Sequence, residues 1–241
     1  MFLNIILPVY NEERRICRGV ENTIRYLKSV GYSDYIITIV DNASHDSTKN
    51  LAEKLCLKYE PVHYMRLGEK GVGIAFKRGV EKNTCDVVGY MDIDLSTDIR
   101  HLGDVIKIMS GDKDVMMVNG SRWSKRSDAS GRKFYRNISS YGLSAILKIA
   151  LKMKASDSIC GFKFFRRQFV EKLIRESSNE HGWFYIIELL LRAERKNAKI
   201  YELPVKWKDD YDSKVSYFKV INNYLVNIRR LRKTFLKEGI L

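Results

Sequence analysis

The N-terminal part of the chain alternates between short apolar runs and segments with helical spacing, and this alternation constrains the fold most strongly. Apolar, β-branched runs at residues 3–9, 35–40 and 62–67 predict strands. Apolar residues at helical spacing after the first run, such as Ile16 and Val20, predict a helix, and the same pattern follows the second run. Strands and helices that alternate in this way build a parallel sheet covered on both faces. We therefore predict a doubly wound α/β domain.

Acidic side chains follow the predicted strands where each one ends. Glu12 comes after the first strand, Asp41 after the second, and Asp92 and Asp94 after a buried apolar run at 87–91. In an open α/β sheet, ligands bind at the carboxyl ends of the strands. Because these ends converge on one edge of the sheet, the sequence predicts a ligand site there.

Asp92 and Asp94 indicate what that ligand is. Two carboxylates this close repel each other unless a positive group lies between them. Mg²⁺ typically takes one or two carboxylates and completes its shell with phosphate oxygens. The pair therefore favours a metal–diphosphate site. A solvated acidic turn is the alternative, because Asp and Ser are common in turns.

A glycine-containing loop at residues 70–75 opens the next predicted helix. Such a loop allows backbone amides to approach a phosphate. Its spacing matches neither the dinucleotide fingerprint nor the P-loop. A phosphate contact and a plain helix N-terminus are both compatible with the sequence.

Composition restricts the partners of the chain. The net charge is +14 over 241 residues, which points to an anionic partner: a nucleic acid, a membrane surface or a phosphorylated substrate. The four cysteines are far apart and form no CxxC pair, which argues against a zinc site or a disulfide framework. We also predict neither a signal peptide nor a membrane-spanning helix.

Several motifs occur in one order along nearly the whole chain. They are LPVYNE at 7–12, VDNASHDST at 40–48, KGVG at 70–73, MDIDLS at 91–96, GSR at 120–122, DSICGFK at 157–163, GWF at 182–184 and LPVKW at 203–207. Together they resemble the family 2 glycosyltransferases, which have the GT-A fold, a Rossmann-like α/β fold with a mostly parallel central sheet. Within that family the chain is most similar to the dolichyl-phosphate and polyprenyl-phosphate mannose and glucose synthases. Asn42 is a departure, since many members have a second Asp there.

The resemblance implies a role for each residue that matches a motif. Asp92 and Asp94 would hold Mg²⁺ or Mn²⁺ on the diphosphate, and Asp92 would count among the donor-binding residues. The remaining donor-binding residues would be Pro8, Tyr10, Glu12, Asp41 and Lys70.

The same resemblance places the acceptor phosphate in the second half of the chain. Arg136 and Ser140 match the spacing of an Arg and a Ser that contact this phosphate, and Arg122 would assist them. Asp94, Arg122 and Arg136 are then the predicted catalytic residues. Without the resemblance, a solvated basic face is the simpler interpretation of Arg136 and its neighbours. Glu188 is expected either to position the sugar or to have a structural role.

Three segments of the second half bear on a membrane. The basic loop at 125–133 is expected to be a mobile lid. The helix at 139–153 lies either at the membrane interface or on the sheet. The C-terminal helix carries an apolar stripe among basic residues, which favours membrane-surface binding; docking onto its own domain or a dimer seam is the alternative. The stripe comprises Tyr217, Ile221, Tyr224, Ile228, Leu231 and Phe235.

These inferences combine into one predicted activity. A GT-A catalytic domain at 1–212, with a nucleotide-sugar half at 1–122 and an acceptor half at 123–212, precedes a basic amphipathic C-terminal helix at 213–241. It would transfer a hexose, with inversion, from a nucleoside-diphosphate sugar to a polyprenyl or dolichyl phosphate. UDP-glucose is favoured and GDP-mannose is the alternative. The acceptor phosphate is largely a dianion at pH 7, since its second pKa is near 6, and so it needs no strong base.

The expected location is cytoplasmic and peripheral to the membrane, with a membrane protein as a further possible partner. One competing interpretation is a family 2 transferase that acts on a saccharide hydroxyl, although no acidic pair after Arg122 offers the required base. A nucleic-acid-binding protein is the other. The sequence favours no nucleic acid partner, because the chain lacks a recognised RNA- or DNA-reading motif.

Overall fold

A computed structural model of the chain describes residues 1–82, 84–129, 134–208 and 217–241, with the backbone alone at 134–140 and 217–221. Its elements in chain order are β1 (Leu3–Val9), α1 (Ile16–Ser29), β2 (Tyr35–Asp41), α2 (Thr48–Lys58), β3 (Val62–Arg66), α3 (Val72–Glu81), β4 (Val87–Met91), α4 (His101–Gly111), β5 (Val115–Ser121), α5 (Phe134–Leu151), β6 (Phe162–Arg166), α6 (Arg167–Glu176), α7 (Trp183–Arg195), β7 (Lys199–Pro204) and α8 (Tyr217–Lys237).

The strands form one 7-stranded sheet in the order β3-β2-β1-β4-β6-β5-β7. Strands β1, β2, β3 and β4 are mutually parallel, and β5 and β7 are parallel to each other. Among the strands of the described residues, β6 alone runs antiparallel to its neighbours, β4 and β5. The prediction of a mostly parallel, doubly wound sheet is confirmed.

Helices cover both faces of the sheet because neighbouring residues of a strand point to opposite sides. In β1, Ile5 and Leu7 pack in the core beneath α1, α2 and α4. Ile6 packs in the opposite core, beneath α3, α5, α6, α7 and α8. All three side chains are fully buried, as expected for a central strand of a sheet covered on both faces.

A crevice opens between β1 and β4 at the carboxyl ends of these strands. The β1–β4 pairing ends at Ile6 and Tyr90, whereas the β1–β2 pairing continues to Val9 and Asp41. Pro8 has no N–H to donate, and it lies beyond the last β1–β4 pair, so no hydrogen bond to β4 is lost there. The chain reverses the order of its strands at this point, which is where open α/β sheets bind their ligands.

The apolar stripe of α8 is buried within the protein. Tyr224, Ile228, Leu231 and Phe235 are all at most 7% exposed and pack in the same core as α5 and α7. The prediction that this stripe faces a membrane is therefore wrong, and docking onto the chain's own domain is correct for these four residues. The side chains of Tyr217 and Ile221 lie outside the described residues.

Candidate functional site

Three loops at the carboxyl ends of the central strands hold a residue in the left-handed backbone region. Asn11 follows β1 with φ 55°, Ala43 follows β2 with φ 61°, and Leu95 follows β4 with φ 57°. Residues other than glycine adopt this conformation at a cost, and such residues concentrate at functional sites. The strain therefore lies at the edge where the sequence predicts a ligand site.

Hydrogen bonds between side chains and backbone tie the first two of these loops together. The Asn11 amide donates to the Ser44 hydroxyl at 2.9 Å, and the His45 amide donates to the Asn11 side-chain oxygen at 2.9 Å. The Glu12 amide donates to the Thr48 hydroxyl at 2.8 Å. These bonds explain why Asn11 tolerates its strained backbone, and they fix the entrance of the crevice.

Asp41 is fully buried at the end of β2, and both of its oxygens accept hydrogen bonds. Oδ1 accepts from the Ser44 amide at 2.8 Å, and Oδ2 accepts from the Tyr64 hydroxyl at 2.8 Å and from Arg66 at 3.3 Å. Arg66 also donates to the Ser44 carbonyl oxygen at 2.9 Å. The guanidinium of Arg66 is thus held in a fixed orientation beside Asp41, with its side chain 39% exposed. The Asp41 carboxylate, a hydrogen-bond acceptor, and the Arg66 guanidinium, a planar hydrogen-bond donor, therefore lie side by side.

The other predicted donor-binding residues cluster near this pair. Pro8 and Tyr10 lie two residues apart at the end of β1, and the Lys70 ammonium lies 3.5 Å from the centre of the Tyr10 ring. This distance is that of a cation–π contact. Glu12 pairs with Arg15 at 3.1 Å in the loop after β1. The Tyr10–Lys70 contact brings the loop before α3 to the end of β1.

The glycines after Lys70 serve close packing of the backbone. The amides of Gly73 and Ile74 donate to the His181 carbonyl oxygen at 2.8 and 3.2 Å. A Cβ at Gly71 would lie 2.2 Å from that same oxygen. Because a backbone carbonyl occupies these amides at the start of α3, the geometry supports the plain helix N-terminus over the phosphate loop.

Asn42, where many family members have Asp, has a structural partner. Its side chain is 2% exposed, and its Oδ1 accepts a hydrogen bond from the Gly71 amide at 3.3 Å. Either Asn or Asp supplies the acceptor that this contact requires. The departure from the family pattern therefore leaves the link between the β2 loop and the α3 loop in place.

Asp92 and Asp94 lie at the end of β4, next to the crevice. Asp92 is half-buried, its Oδ1 accepts from the Tyr90 hydroxyl at 2.9 Å, and its amide donates to the Gly161 carbonyl oxygen at 3.2 Å. Asp94 is half-buried, and its Oδ1 accepts from the Ser96 amide at 2.9 Å. Burial, and then the charge of Asp94, raise the pKa of Asp92 to about 7.

The two carboxylates fit a hard divalent cation. A Cβ at Gly161 would lie 1.9 Å from Asp92 Oδ2, so only glycine leaves room for the carboxylate in this position. A positive charge nearby would offset the repulsion that raises the pKa of Asp92. In the part of the chain that the structure describes, no group of three or more His, Cys, Asp or Glu residues forms a complete metal site. Two carboxylates with the remaining positions left to phosphate and water are typical of Mg²⁺.

Arg122 is engaged by a buried carboxylate. Its Nε and Nη2 donate to the two oxygens of Asp157 at 2.7 and 2.9 Å, and the Arg122 side chain is 3% exposed. Its guanidinium also lies 4.9 Å from the ring centre of Trp207. Burial raises the pKa of Asp157, but the pairing with Arg122 outweighs it and lowers this pKa to about 2. Two of the donors that would face an acceptor phosphate are thus bound to Asp157.

The remaining predicted acceptor residues are only partly described. The side chains of Arg136 and Ser140 lie outside the described residues, although both positions fall in α5. In the loop at 125–133, the Asp128 amide donates to the Val205 carbonyl oxygen at 3.2 Å, and the Trp207 amide donates to the Asp128 carbonyl oxygen at 2.7 Å. The described start of this loop is therefore anchored, and residues 130–133 lie outside the described part.

Glu188 has structural partners. It is fully buried and accepts from the Ser178 amide at 3.0 Å and from Arg192 at 3.1 Å, with Arg230 at 3.5 Å. These contacts join α7, α8 and the loop before α7. Of the two roles expected for Glu188, the geometry supports the structural one.

Sequence reasoning assigned no individual role to several residues near the site. Tyr64 and Arg66 alternate with apolar positions in β3, and their position beside Asp41 follows only from the β2–β3 register. Trp183 lies 6.4 Å from Tyr90, measured between ring centres, and is 39% exposed. Lys163 is fully buried in β6. The signal in the sequence was a lysine within a run of phenylalanines.

Comparison with known proteins agrees with these observations. The family described as "Glycosyl transferase family 2" matches residues 4–174. Glycosyltransferase AglD of Haloferax volcanii is 32% identical over 216 residues, which cover 88% of this chain and 34% of that protein. The chain thus spans about a third of this relative's length. Dolichyl-phosphate beta-glucosyltransferase of Dictyostelium discoideum is 29% identical over 249 residues, covering 98% of this chain and 75% of the relative.

A solved structure shares the architecture. Glucosyl-3-phosphoglycerate synthase from Mycobacterium tuberculosis, in complex with Mn²⁺, UDP and phosphoglyceric acid, superposes with a TM-score of 0.74 at 14% identity. The match covers 96% of this chain and 78% of the other. At this identity the likeness shows a common fold.

Proposed function

Because the chain belongs to glycosyl transferase family 2, we propose that this hexosyltransferase moves a hexose from a nucleoside-diphosphate sugar to a polyprenyl phosphate such as dolichyl phosphate. Family membership and the shared architecture confirm the predicted GT-A fold. The observation that carries the proposal is the Asp92–Asp94 pair at the end of β4, beside the β1–β4 crevice. The relatives named dolichyl-phosphate beta-glucosyltransferase support the lipid phosphate as acceptor.

The donor nucleoside occupies the carboxyl ends of β1 and β2 in this proposal. Asp41 is fully buried and holds the partly exposed Arg66 in place, and Arg66 donates to a base carbonyl oxygen. Uracil presents such an oxygen, and so does guanine. We favour UDP-glucose because several relatives are named dolichyl-phosphate beta-glucosyltransferase, and GDP-mannose is the alternative. Tyr10 and Lys70 line the path from the base to the diphosphate, with the ammonium available to phosphate oxygens.

Asp92 and Asp94 hold the divalent cation in this proposal, and Mg²⁺ or Mn²⁺ bound there neutralises charge on the leaving diphosphate. Tyr90 orients Asp92 by donating to its Oδ1 at 2.9 Å. The backbone of Gly161 supports the same carboxylate from behind. These contacts position the two ligands before the donor arrives, which lowers the cost of organising the site.

The acceptor phosphate needs orientation rather than a strong base. At neutral pH it is largely a dianion, and its oxygen attacks the anomeric carbon as the bond to the diphosphate breaks. The single displacement inverts that carbon. Since Asp157 binds two donors of Arg122, the direct contacts to the acceptor phosphate fall to Arg136 and Ser140. Arg122 then fixes the end of β5 against the segment that contains Asp157.

The outer surface of α5 and α8 is the proposed membrane contact. No helix in the described ranges is both long and apolar enough to cross a bilayer. The two helices pack against each other and expose apolar residues beside basic ones. The exposed apolar residues are Tyr141, Ile146, Ile149, Leu225, Val226 and Leu236. The exposed basic residues are Lys148, Lys152, Arg229, Arg232, Lys233 and Lys237.

This combination is typical of a surface that adheres to anionic lipid at the cytoplasmic face. Flotation with vesicles of neutral and anionic phospholipid tests it. Ile149→Glu places a charge at an 84%-exposed position and should weaken binding to anionic vesicles. Leu57→Glu changes a residue that is 90% exposed on α2, at the opposite face of the sheet, and should leave binding unchanged. Equal binding of both variants would contradict this membrane contact.

Donor hydrolysis and transfer, measured in parallel, test the reaction. Asp94→Asn should lower metal-dependent transfer of labelled hexose by at least about a hundredfold, a loss typical of removing charge stabilisation from a reacting centre. Asp114→Asn, which alters an exposed acid at the start of β5, is the matched control and should keep full activity. Full transfer by Asp94→Asn would overturn the metal site.

A further inference from the structure

The segment at 205–208 continues β7 and pairs with the loop that follows β4. The Asp98 amide donates to the Lys206 carbonyl oxygen at 2.9 Å. One residue away, Thr97 and Trp207 face each other as an antiparallel bridge. In an antiparallel ladder, two opposite residues at a hydrogen-bonded position exchange both of their N–H···O bonds. The Lys206 amide is therefore expected to donate to the Asp98 carbonyl oxygen.

The side chain of His101 takes the place of that acceptor. The Asp98 carbonyl oxygen accepts instead from the His101 amide at 3.1 Å, because the chain turns into α4 there. The Lys206 amide donates to Nε2 of the His101 ring at 2.9 Å. An amide can donate only to an unprotonated ring nitrogen, so the ring is neutral and its proton lies on Nδ1. Nδ1–H then donates to Asp104 at 2.8 Å.

The surroundings of the ring decide which contact is lost when the ring gains a proton. The side chain is 18% exposed, and its ring centre lies 6.5 Å from that of Phe162 in β6. Asp104 accepts from a charged ring as well, so this contact survives protonation. The Lys206 amide cannot donate to a protonated Nε2, so that bond breaks. The other charged or titratable groups on the neighbouring elements are Asp98 and Arg100, which pair with each other at 2.6 Å, the exposed Lys206 ammonium, and Tyr26, whose hydroxyl donates to the Arg100 carbonyl oxygen at 2.9 Å.

The 205–208 segment contacts both halves of the proposed site. On the donor side, its last amide donates to the Ser96 carbonyl oxygen at 2.8 Å, and the Ser96 amide in turn donates to Asp94 at 2.9 Å. On the acceptor side, the ring centre of Trp207 lies 4.9 Å from the Arg122 guanidinium. Loosening this segment would therefore disturb the orientation of Asp94 and of Arg122 together.

We propose that His101 is a positioning residue whose neutral ring holds the 205–208 segment against the loop after β4, and that protonation of the ring on Nε2 releases this segment and lowers transfer. The inference rests on the proposed function for one of its readouts, and it adds a residue and a pH dependence to that function. Histidine side chains in general change charge between about pH 5 and pH 8, so the effect falls within the range of an ordinary assay.

The pH profile of hexose transfer, measured from about pH 5 to about pH 8, tests the proposal in three variants. His101→Gln offers a side-chain oxygen to the Lys206 amide and does not titrate. It should match the natural rate within about twofold at neutral pH and exceed it about threefold to tenfold at the acid end, which is the effect of one hydrogen bond. His101→Phe has no acceptor and should transfer more slowly over the whole range. His63→Gln removes an exposed histidine of β3 and should follow the natural profile.

Two further readouts need no substrate. Nitrogen NMR of the imidazole should find the His101 proton on Nδ1 at neutral pH. Exchange of the Lys206 amide with solvent, corrected for its intrinsic rate, should quicken about threefold to tenfold on acidification of the natural sequence. In His101→Gln the corrected exchange rate should stay constant. Protonation of the acceptor phosphate affects neither measurement, and in the transfer assay it slows every protein alike.

The outcomes separate this inference from the proposed function. Identical pH profiles for His101→Gln and the natural sequence would overturn the role of His101 and leave the proposed transfer intact. A proton on Nε2 of His101 at neutral pH would overturn it as well, and this result does not depend on how any variant folds. If the natural sequence transferred no hexose, the proposed function would fall, and the ring tautomer and the exchange of the Lys206 amide would still decide the role of His101.

Discussion

Replacing Asp92 with Asn should stabilise the metal-free protein at alkaline pH while abolishing its activity. The carboxylate is half-buried next to Asp94, and burial followed by that neighbouring charge raises its pKa from 3.8 to about 7. The Tyr90 hydroxyl can still donate to the side-chain oxygen of Asn. The substitution therefore removes a costly charge and keeps the hydrogen bond.

The sign and size follow from the raised pKa. A carboxyl group that binds its proton more tightly in the folded state contributes stability below its unfolded pKa, and this contribution is lost as the pH rises through about 7. A shift of roughly three units at 1.36 kcal/mol per unit sets an upper bound of roughly 4 kcal/mol at pH 8. We expect Asp92→Asn to recover about half of this bound, since the Asn amide also loses solvation on burial.

Urea unfolding in the presence of a chelator measures the effect. At pH 8 the midpoint for Asp92→Asn should exceed that of the natural sequence, and the difference should shrink at pH 5. Asp114→Asn, at an exposed acid, should show no such difference at either pH. If Asp92→Asn proved less stable than the natural sequence at pH 8, the reasoning about like charge and burial would be refuted.

Three further substitutions test other parts of the structure. Asp157→Asn leaves a buried arginine without its partner and should cost about 3 to 5 kcal/mol in urea unfolding. In the natural sequence, the pairing lowers the pKa of Asp157 to about 2. The stability that goes with this lowered pKa is present above about pH 4 and is lost as the pH falls through 2. Gly161→Ala places a Cβ 1.9 Å from a carboxylate oxygen of the proposed metal site and should lower transfer at least about tenfold. Gly111→Ala, with open space around its Cα, should leave transfer unchanged. Equal transfer rates in the two variants would contradict the need for glycine beside the Asp92 carboxylate. Phe235→Ala should lower the free energy of unfolding by about 3 to 5 kcal/mol because the side chain is fully buried. Leu236 is 58% exposed, so Leu236→Ala should change it by less than about 0.5 kcal/mol. Equal effects of the two substitutions in thermal unfolding would argue against the docking of α8.

The strands of the first half could be predicted from sequence because each is a short apolar run bounded by turn residues. The run at 87–91 and the two carboxylates after it gave both the strand and the chemistry expected at its end. The position of β6 could not be predicted in this way. Its antiparallel insertion between β4 and β5 depends on pairing between segments far apart in sequence, and periodicity contains no such information.

The C-terminal helix shows a second limit of sequence reasoning. A stripe such as Tyr224, Ile228, Leu231 and Phe235 has the same spacing whether it packs on a protein core or on lipid. Docking on α7 is decided by groups on both partners, among them the Arg192–Glu238 ion pair at 3.1 Å. The periodicity therefore predicted the helix and its apolar face, and the structure identifies what covers that face.

The donor end of the site lies between these two cases. The resemblance to family 2 enzymes placed Asp41 and Lys70 near the donor, and the structure brings Lys70 onto Tyr10 and leaves Asp41 beside Arg66. The cap that His181 provides for α3 was not predictable, because it requires the loop before α7 to reach back across the core. Contacts between distant segments are set by packing, which one sequence does not encode in any local pattern.

The most direct test of the central claim is the transfer of labelled hexose into a product that partitions into organic solvent. The assay supplies a short polyprenyl phosphate with Mg²⁺ or Mn²⁺ and compares UDP-glucose with GDP-mannose. We predict metal-dependent label in the organic phase, stronger with UDP-glucose, and its loss in Asp94→Ala and Arg136→Ala. Metal-dependent donor hydrolysis without any lipid product would contradict the polyprenyl phosphate acceptor and move the reaction to a saccharide hydroxyl.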